Sequence, residues 1–180
     1  MRETPMSIAA AEFVRHFLRL EATHPKYSDR KDELLAWCEL SDSEVMMNAR
    51  RFAEVRGDVN PVLVYTGGIT GDDRSSQVAG WTRGRIKCGD IFAPRISSQM
   101  QSDINEVRGN ILAFAKDLAS KYSEFQPLAA LCEDTSILIV VAHRVPSKDG
   151  EYEVIDGVHR LVALCRAGIQ EVEAYVAHMK

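Results

Sequence analysis

The 180-residue sequence predicts an α+β domain with a mixed sheet. Three observations carry that expectation. Apolar residues fall in helical rhythm through the first 55 residues. A β-branched run, Ile137 to Ala142, is followed by a turn of hairpin type at Ser147-Lys148-Asp149-Gly150 and a returning strand, Tyr152 to Ile155. The last thirty residues read as strand, glycine turn, helix, glycine stop, strand.

In order along the chain, Ser7 can cap a first helix that carries Ile8, Ala11, Phe13, Val14, Phe17, Leu18 and Leu20 on one side. Glu21 to Ser28 contains Pro25 and reads as a loop. Ser28 or Asp29 can cap a second helix with Leu34, Leu35, Trp37 and Cys38. Ser41, with Glu44 three residues on, forms a capping-box pattern for a third helix that stops at Gly57.

From Pro61 the pattern changes. Val62 to Tyr65 is a strand candidate, and Gly67 to Ser76 is a loop by composition. Gln77 to Phe92 reads as one or two strands broken at Gly84 and Gly89 and ended by Pro94. Val107, Ile111, Phe114, Ala115 and Leu118 predict a helix from about Asn105 to Tyr122, with a further turn at Leu128 to Cys132. Val158 to Ala167 is a helix closed by Gly168, and Val172 to Val176 a last strand. Two regions follow: residues 1–84, a mainly helical N-terminal extension, and 85–180, which carries the sheet and the one motif with readable chemistry.

Composition narrows the function classes. The formal charge of −4 gives no bulk field for nucleic acid, so any such binding needs a local patch. Arg50-Arg51 and Arg83-Gly84-Arg85-Ile86-Lys87 are the candidates, with a solvated face as the plain alternative. Cys38, Cys88, Cys132 and Cys165 form no C-x-x-C pair and have no zinc spacing, so no protein-held metal is expected. Scattered cysteines, and a start followed by charge instead of an apolar stretch, lead to an expectation of the reducing cytoplasm. The run Ser136 to Ala142 is far too short to span a membrane.

The chemistry concentrates at Asp156-Gly157-Val158-His159-Arg160. Asp156 ends a strand, Gly157 permits the turn and a close approach, and His159 and Arg160 open a helix whose Leu161, Leu164 and Cys165 can face the core. Amides at a helix start lack intrahelical partners, and the helix dipole adds positive potential there. Arg160 supplies a donor fork that suits phosphate oxygens, so the five residues read as an anion site. The alternative from the same residues is that Asp156 only caps the helix and Arg160 only pairs with a carboxylate.

This motif resembles the core of the ParB/sulfiredoxin superfamily: a strand, D-G-x-H-R, L-x-A at Leu161 to Ala163, A-G at Ala167-Gly168, and a closing strand. Ile137 to Pro146 is similar to that superfamily's preceding strand. The match covers roughly the last forty to fifty residues and joins a five-residue motif to the right flanking elements. It implies a ParB/sulfiredoxin-like core over 85–180 that binds nucleotide phosphates. Its members include nucleoside triphosphatases, nucleases, a free-serine kinase and a cysteine sulfinic acid reductase. By position, Gly157, Val158, His159 and Arg160 form the phosphate-contacting loop, and Asp156 orients it or reaches a metal-bound water. Asp156, His159 and Arg160 are thus the expected catalytic residues, with His159 able to serve as general acid or base. ATP or another nucleoside triphosphate, with Mg²⁺, is the expected cofactor set.

Departures from the family's patterns shape the choice among its activities. Sulfiredoxins have a cysteine where this chain has Val158, so the reductase is not expected. Partition proteins usually read G-E-R-R here and carry a helix-turn-helix downstream, whereas this chain runs to Lys180 directly after the last strand. The serine kinases place a glutamate after a proline where this chain has Pro94-Arg95, which speaks against a kinase; Arg95 can instead reach a second phosphate. The expected function is a phosphohydrolase, a nucleoside triphosphatase or also a DNase. The alternatives are a non-catalytic module binding nucleotide or DNA backbone, such as a plasmid- or phage-borne inhibitor of DNA transfer with a protein partner on its N-terminal helices, and a free-serine kinase.

The remaining candidates have plain structural readings. Asp72 and Asp73 could meet a Mg²⁺ but fit an exposed turn, and Gly67 to Gly71 lacks the lysine of a P-loop. Arg144 with His143 ends the buried strand. His16, His24 and His178 lack ligand spacing, and Asp103 and Glu106 suit a helix start without a catalytic role.

Overall fold

The computed structural model describes residues 6–56, 65–66, 74–93, 109–113, 115–116, 140–147 and 150–180. It is an α+β protein. Its contacts divide the chain into two units, Met1–Met6 with Arg83–Val176, and Ser7–Thr82 with Ala177–Lys180.

The helical unit is built on α1 (Ala10–Thr23), α2 (Lys31–Trp37) and α3 (Asp42–Arg56). The apolar stripe read from the sequence becomes its core, with Phe13, Val14, Phe17, Leu18, Leu34, Val45 and Phe52 buried. Phe52 meets Phe17 and, edge-on, Tyr27 at 5.1 Å between ring centroids. Arg15 reaches from α1 to the end of α2. Its Nε donates to Cys38 C=O at 3.0 Å, its Nη2 to Leu40 C=O at 2.7 Å, and its Nη1 pairs with Asp42 at 2.8 Å. One guanidinium thereby satisfies carbonyls beyond the end of α2 and an acid in the first turn of α3.

Several boundaries differ from expectation. Ser7 lies in a short strand, β1 (Met6–Ile8), and α1 starts after Ala9 without a side-chain cap. Burial of the aromatic stripe holds α1 in place of a cap. The expected loop Glu21 to Ser28 is the last turn of α1 followed by a 3-10 turn, Pro25–Arg30. Pro25 suits the first position of such a turn, and His24 Nδ1 accepts the Lys26 N–H. Neither Ser28 nor Asp29 caps α2; Arg30 precedes it with no capping side chain. The Ser41–Glu44 pattern does form at α3, with Glu44 accepting from both the Ser41 amide and its hydroxyl. Tyr65 has helical backbone, not strand, while Val62 to Val64 lie outside the described residues, as do Gly57 and Asp72-Asp73.

The second unit holds the larger part of the sheet. The strands are β2 (Val78–Lys87), β3 (Ile91–Ala93), β4 (Gly109–Asn110), β5 (Val140–Ser147), β6 (Gly150–Asp156) and β7 (Glu171–Met179), in the order β2-β7-β5-β6-β3-β4. β2 runs unbroken through Gly84; the interruption comes at a 3-10 turn, Cys88–Asp90, which contains Gly89. The helix expected from about Asn105 does not run through residues 109 and 110. Gly109 and Asn110 pair with β3, and described helical residues begin at Ile111. Asn110 Oδ1 accepts the Leu112 N–H at 2.9 Å, which competes with a helix continuing backwards through this residue. The turn at Leu128 to Cys132 lies outside the described residues.

β5 and β6 form the expected antiparallel pair, and β3 pairs parallel to β6. β5 extends past Ala142 to Ser147, and its register on β6 shifts between His143 and Ser147, a stretch containing Pro146, which has no amide proton for the ladder. Helix α4 (Val158–Arg166) follows β6 and places Leu161, Val162 and Leu164 in a core with Ile86, Cys88, Ile91, Ile111, Val141, Val154, Val172, Ala174 and Val176. Gly168 stops it at a φ of 84°. Its N–H bonds to Cys165 C=O and the Ile169 N–H to Leu164 C=O, both at 3.1 Å, the paired bonds of a left-handed glycine stop.

Candidate functional site

The site is assembled at one end of β6. Val140 of β5 pairs with Asp156, and Val141 with Val154, so Ile155 and Asp156 together answer a single step on β5. Such a bulge bends a strand and re-aims its side chains. Val154 stays in the core, whereas Asp156 is only half-buried, with its side chain 25% exposed.

Gly157 follows at φ 90° and ψ 19°, the left-handed region, and is buried. A side chain there would be strained, so this position needs glycine. α4 starts at the next residue. The first helical bond runs from the Leu161 N–H to Gly157 C=O at 2.8 Å, and no side chain caps the start. The amides of Val158, His159 and Arg160 therefore precede the intrahelical ladder.

Arg160 Nη2 lies 3.3 Å from Asp156 Oδ2, with the arginine side chain 27% exposed. This is the pairing that the plain reading anticipated for Arg160, but Asp156 does not cap the helix. The pair fixes the guanidinium across the glycine turn while leaving further N–H donors on the fork. The Val158 side chain packs on the core, so Val158 offers the turn its amide. His159 occupies the second helical position; only its backbone is described. Arg95 lies outside the described residues. β3 runs parallel to β6 and ends at Ala93, two residues before it, at the same end of the sheet as Asp156.

Other candidates fall elsewhere. His143 on β5 stacks against Tyr152 at 5.2 Å between ring centroids, and of Arg144 only the backbone is described. His178 Nε2 shares a 2.8 Å hydrogen bond with Thr82 Oγ1, and His24 serves its own turn. Asp103 and Glu106 lie outside the described residues. The first arginine of the basic stretch of β2 meets an acid. Arg83 pairs with Glu173 of the neighbouring β7 and its guanidinium lies over the Tyr175 ring, while Glu171 is exposed on the same strand. Sequence reading missed this neutralisation because the two strands are far apart in the chain. The alternation of Glu171 and Glu173 with buried Val172 and Ala174 was its available signal.

Among the described residues no group of three or more His, Cys, Asp or Glu side chains is placed to hold a metal ion, and no helix is long and apolar enough to cross a membrane. Comparison with known proteins gives no match to a protein-family model, to a curated protein or to a solved structure.

Proposed function

We propose that the chain is a nucleotide-binding phosphohydrolase of ParB/sulfiredoxin type, with the triphosphate held at Asp156 to Arg160. The observation that carries this reading is the left-handed Gly157 at an uncapped helix start, with Arg160 pinned beside it. Three amides outside the helical ladder, the helix dipole and a guanidinium make a site for phosphate oxygens. Phosphoryl transfer asks the protein mainly for positioning and charge neutralisation, which these groups can supply. Asp156 is the carboxylate of the loop, so Mg²⁺ would be carried chiefly by the nucleotide phosphates and water. His159 is the proposed acid or base and Arg95 a second phosphate contact. Val158 stands where a sulfiredoxin has its cysteine, so no reductase activity is proposed.

A second reading is favoured by one observation: Asp156 is engaged by Arg160 and so is less able to orient an attacking water. On that reading the same loop binds nucleotide or DNA backbone without turnover. The pairing of Arg83 with Glu173 favours nucleotide over DNA as the ligand.

Phosphate release from ATP and the other nucleoside triphosphates with Mg²⁺ separates the two readings. The hydrolase reading expects turnover that falls in Asp156→Ala, His159→Ala and Arg160→Ala. Saturable binding with no phosphate released supports the binding module. Turnover only on addition of serine supports the kinase. Equal activity in all variants assigns the signal to a contaminant.

A further inference from the structure

Asp156 and Arg160 stand on either side of the left-handed Gly157, the acid at the end of β6 and the arginine in the first turn of α4. The contact between them is loose. Arg160 Nη2 donates to Asp156 Oδ2 at 3.3 Å, longer than the usual N–H···O bond, and the two side chains are 27% and 25% exposed. An i, i+4 pair of this kind is weak, and water at both partners weakens it further. It engages one of the five N–H donors of the guanidinium.

We propose that Asp156 and Arg160 form a latch that makes the loop selective for phosphate complexed with a divalent cation over free phosphate. The inference rests on the reading of Asp156 to Arg160 as a phosphate site, whether or not the phosphate is turned over. A phosphate at the amides of Val158 to Arg160 takes a short, charge-assisted contact from the same guanidinium, and such a contact displaces the loose bond to Asp156. The displaced carboxylate then stands beside a ligand of like charge, and their repulsion opposes an uncomplexed phosphate. A Mg²⁺ carried on the phosphate oxygens reverses that sign, because it is a hard cation that favours carboxylate and water oxygens. Asp156 then favours the ligand it otherwise opposes. A single carboxylate suits a cation that arrives with phosphate and water ligands of its own. Among the described residues no group of three or more ligating side chains is placed to hold the ion beforehand. By linkage, the cation raises the affinity for phosphate by the same factor as phosphate raises the affinity for the cation.

The test is calorimetric titration of the whole chain and of Asp156→Asn with inorganic triphosphate, once with Mg²⁺ and once in EDTA, at one ionic strength. Asparagine keeps the shape and the acceptor for Arg160 and removes the charge. The unaltered chain should bind triphosphate roughly fivefold or more tightly with Mg²⁺ than in EDTA. In EDTA, Asp156→Asn should bind more tightly than the unaltered chain, by roughly two- to fivefold, because a weak competing pair and one nearby like charge are gone. With Mg²⁺ it should bind more weakly. A merely structural role for Asp156 would shift both titrations the same way. An effect of one sign in both buffers, or free triphosphate bound by the unaltered chain as tightly as its Mg²⁺ complex, overturns the latch and leaves the phosphate site standing. No binding by either protein in either buffer removes the site itself, and the latch with it. The comparison of buffers on the unaltered chain decides the matter even if Asp156→Asn fails to fold.

Discussion

Gly157 and Arg160 do separable work within one turn. Gly157 holds the backbone at a φ of 90°. Gly157→Ala should therefore cost about 1–3 kcal/mol of stability in urea unfolding, and Gly157→Val more, with ligand binding lost as well. Arg160 sits in a half-buried i, i+4 pair with Asp156, an arrangement worth only about 0.2–0.5 kcal/mol. Arg160→Ala should leave the urea midpoint nearly unchanged yet weaken ATP binding roughly tenfold or more, as loss of a charge-assisted contact requires. Unchanged ATP affinity would remove Arg160 from the site. The order Asp, Gly, helix start was legible because a glycine between an acid and an apolar helical stripe has few other uses. The bulge at Ile155 was not, since it arises from the register of β5 on β6, and pairing partners are not written in either strand alone.

At the scale of elements, local signals were legible where they acted locally. Ser41 and Glu44 show this, as does the Gly168 stop. The first yields a pH prediction. The Glu44 carboxyl is held below the ordinary carboxylate range by hydrogen bonds from Ser41, first from its side chain and then from its backbone. A lowered folded value means the cap contributes fully above the unfolded value, about 4.3. It is lost as pH falls through the lower folded value. Stability of wild type relative to Glu44→Gln should therefore narrow on acidification, measured by paired urea melts from pH 7 to pH 3. Elements fixed from a distance were misread. α1 begins without a cap because Phe13, Val14 and Phe17 bury, and β2 passes through Gly84 because neighbouring strands hold it. Arg15 carries no signal of its role in the sequence, since its three partners lie 23 to 27 positions away. Arg15→Ala should destabilise the helical unit by about 1.5–3 kcal/mol, read as a lower urea midpoint. A change under about 0.5 kcal/mol would show that water replaces these contacts readily.

For the whole molecule, the α+β class followed from element order, because alternating rhythms of 3.6 and 2 residues survive without knowledge of partners. The charge pattern did not follow as readily. The basic run on β2 was one candidate for a local nucleic-acid patch beside a solvated face, and β7 sets Glu173 against its Arg83. A ligand that binds only the native chain raises stability by about 2.7 kcal/mol at a hundredfold excess over Kd, so ATP with Mg²⁺ should raise the Tm in a saturable way. The central claim is narrower than that shift. It is that the amides following Gly157 meet phosphate. An amide-resolved NMR titration of the ¹⁵N-labelled chain with ATP and Mg²⁺ tests it most directly. The account predicts saturable shifts largest at Gly157, Val158, His159 and Arg160, which inorganic triphosphate reproduces and Arg160→Ala weakens. Saturating shifts confined to other residues, or none at these four with ATP in large excess, would contradict it.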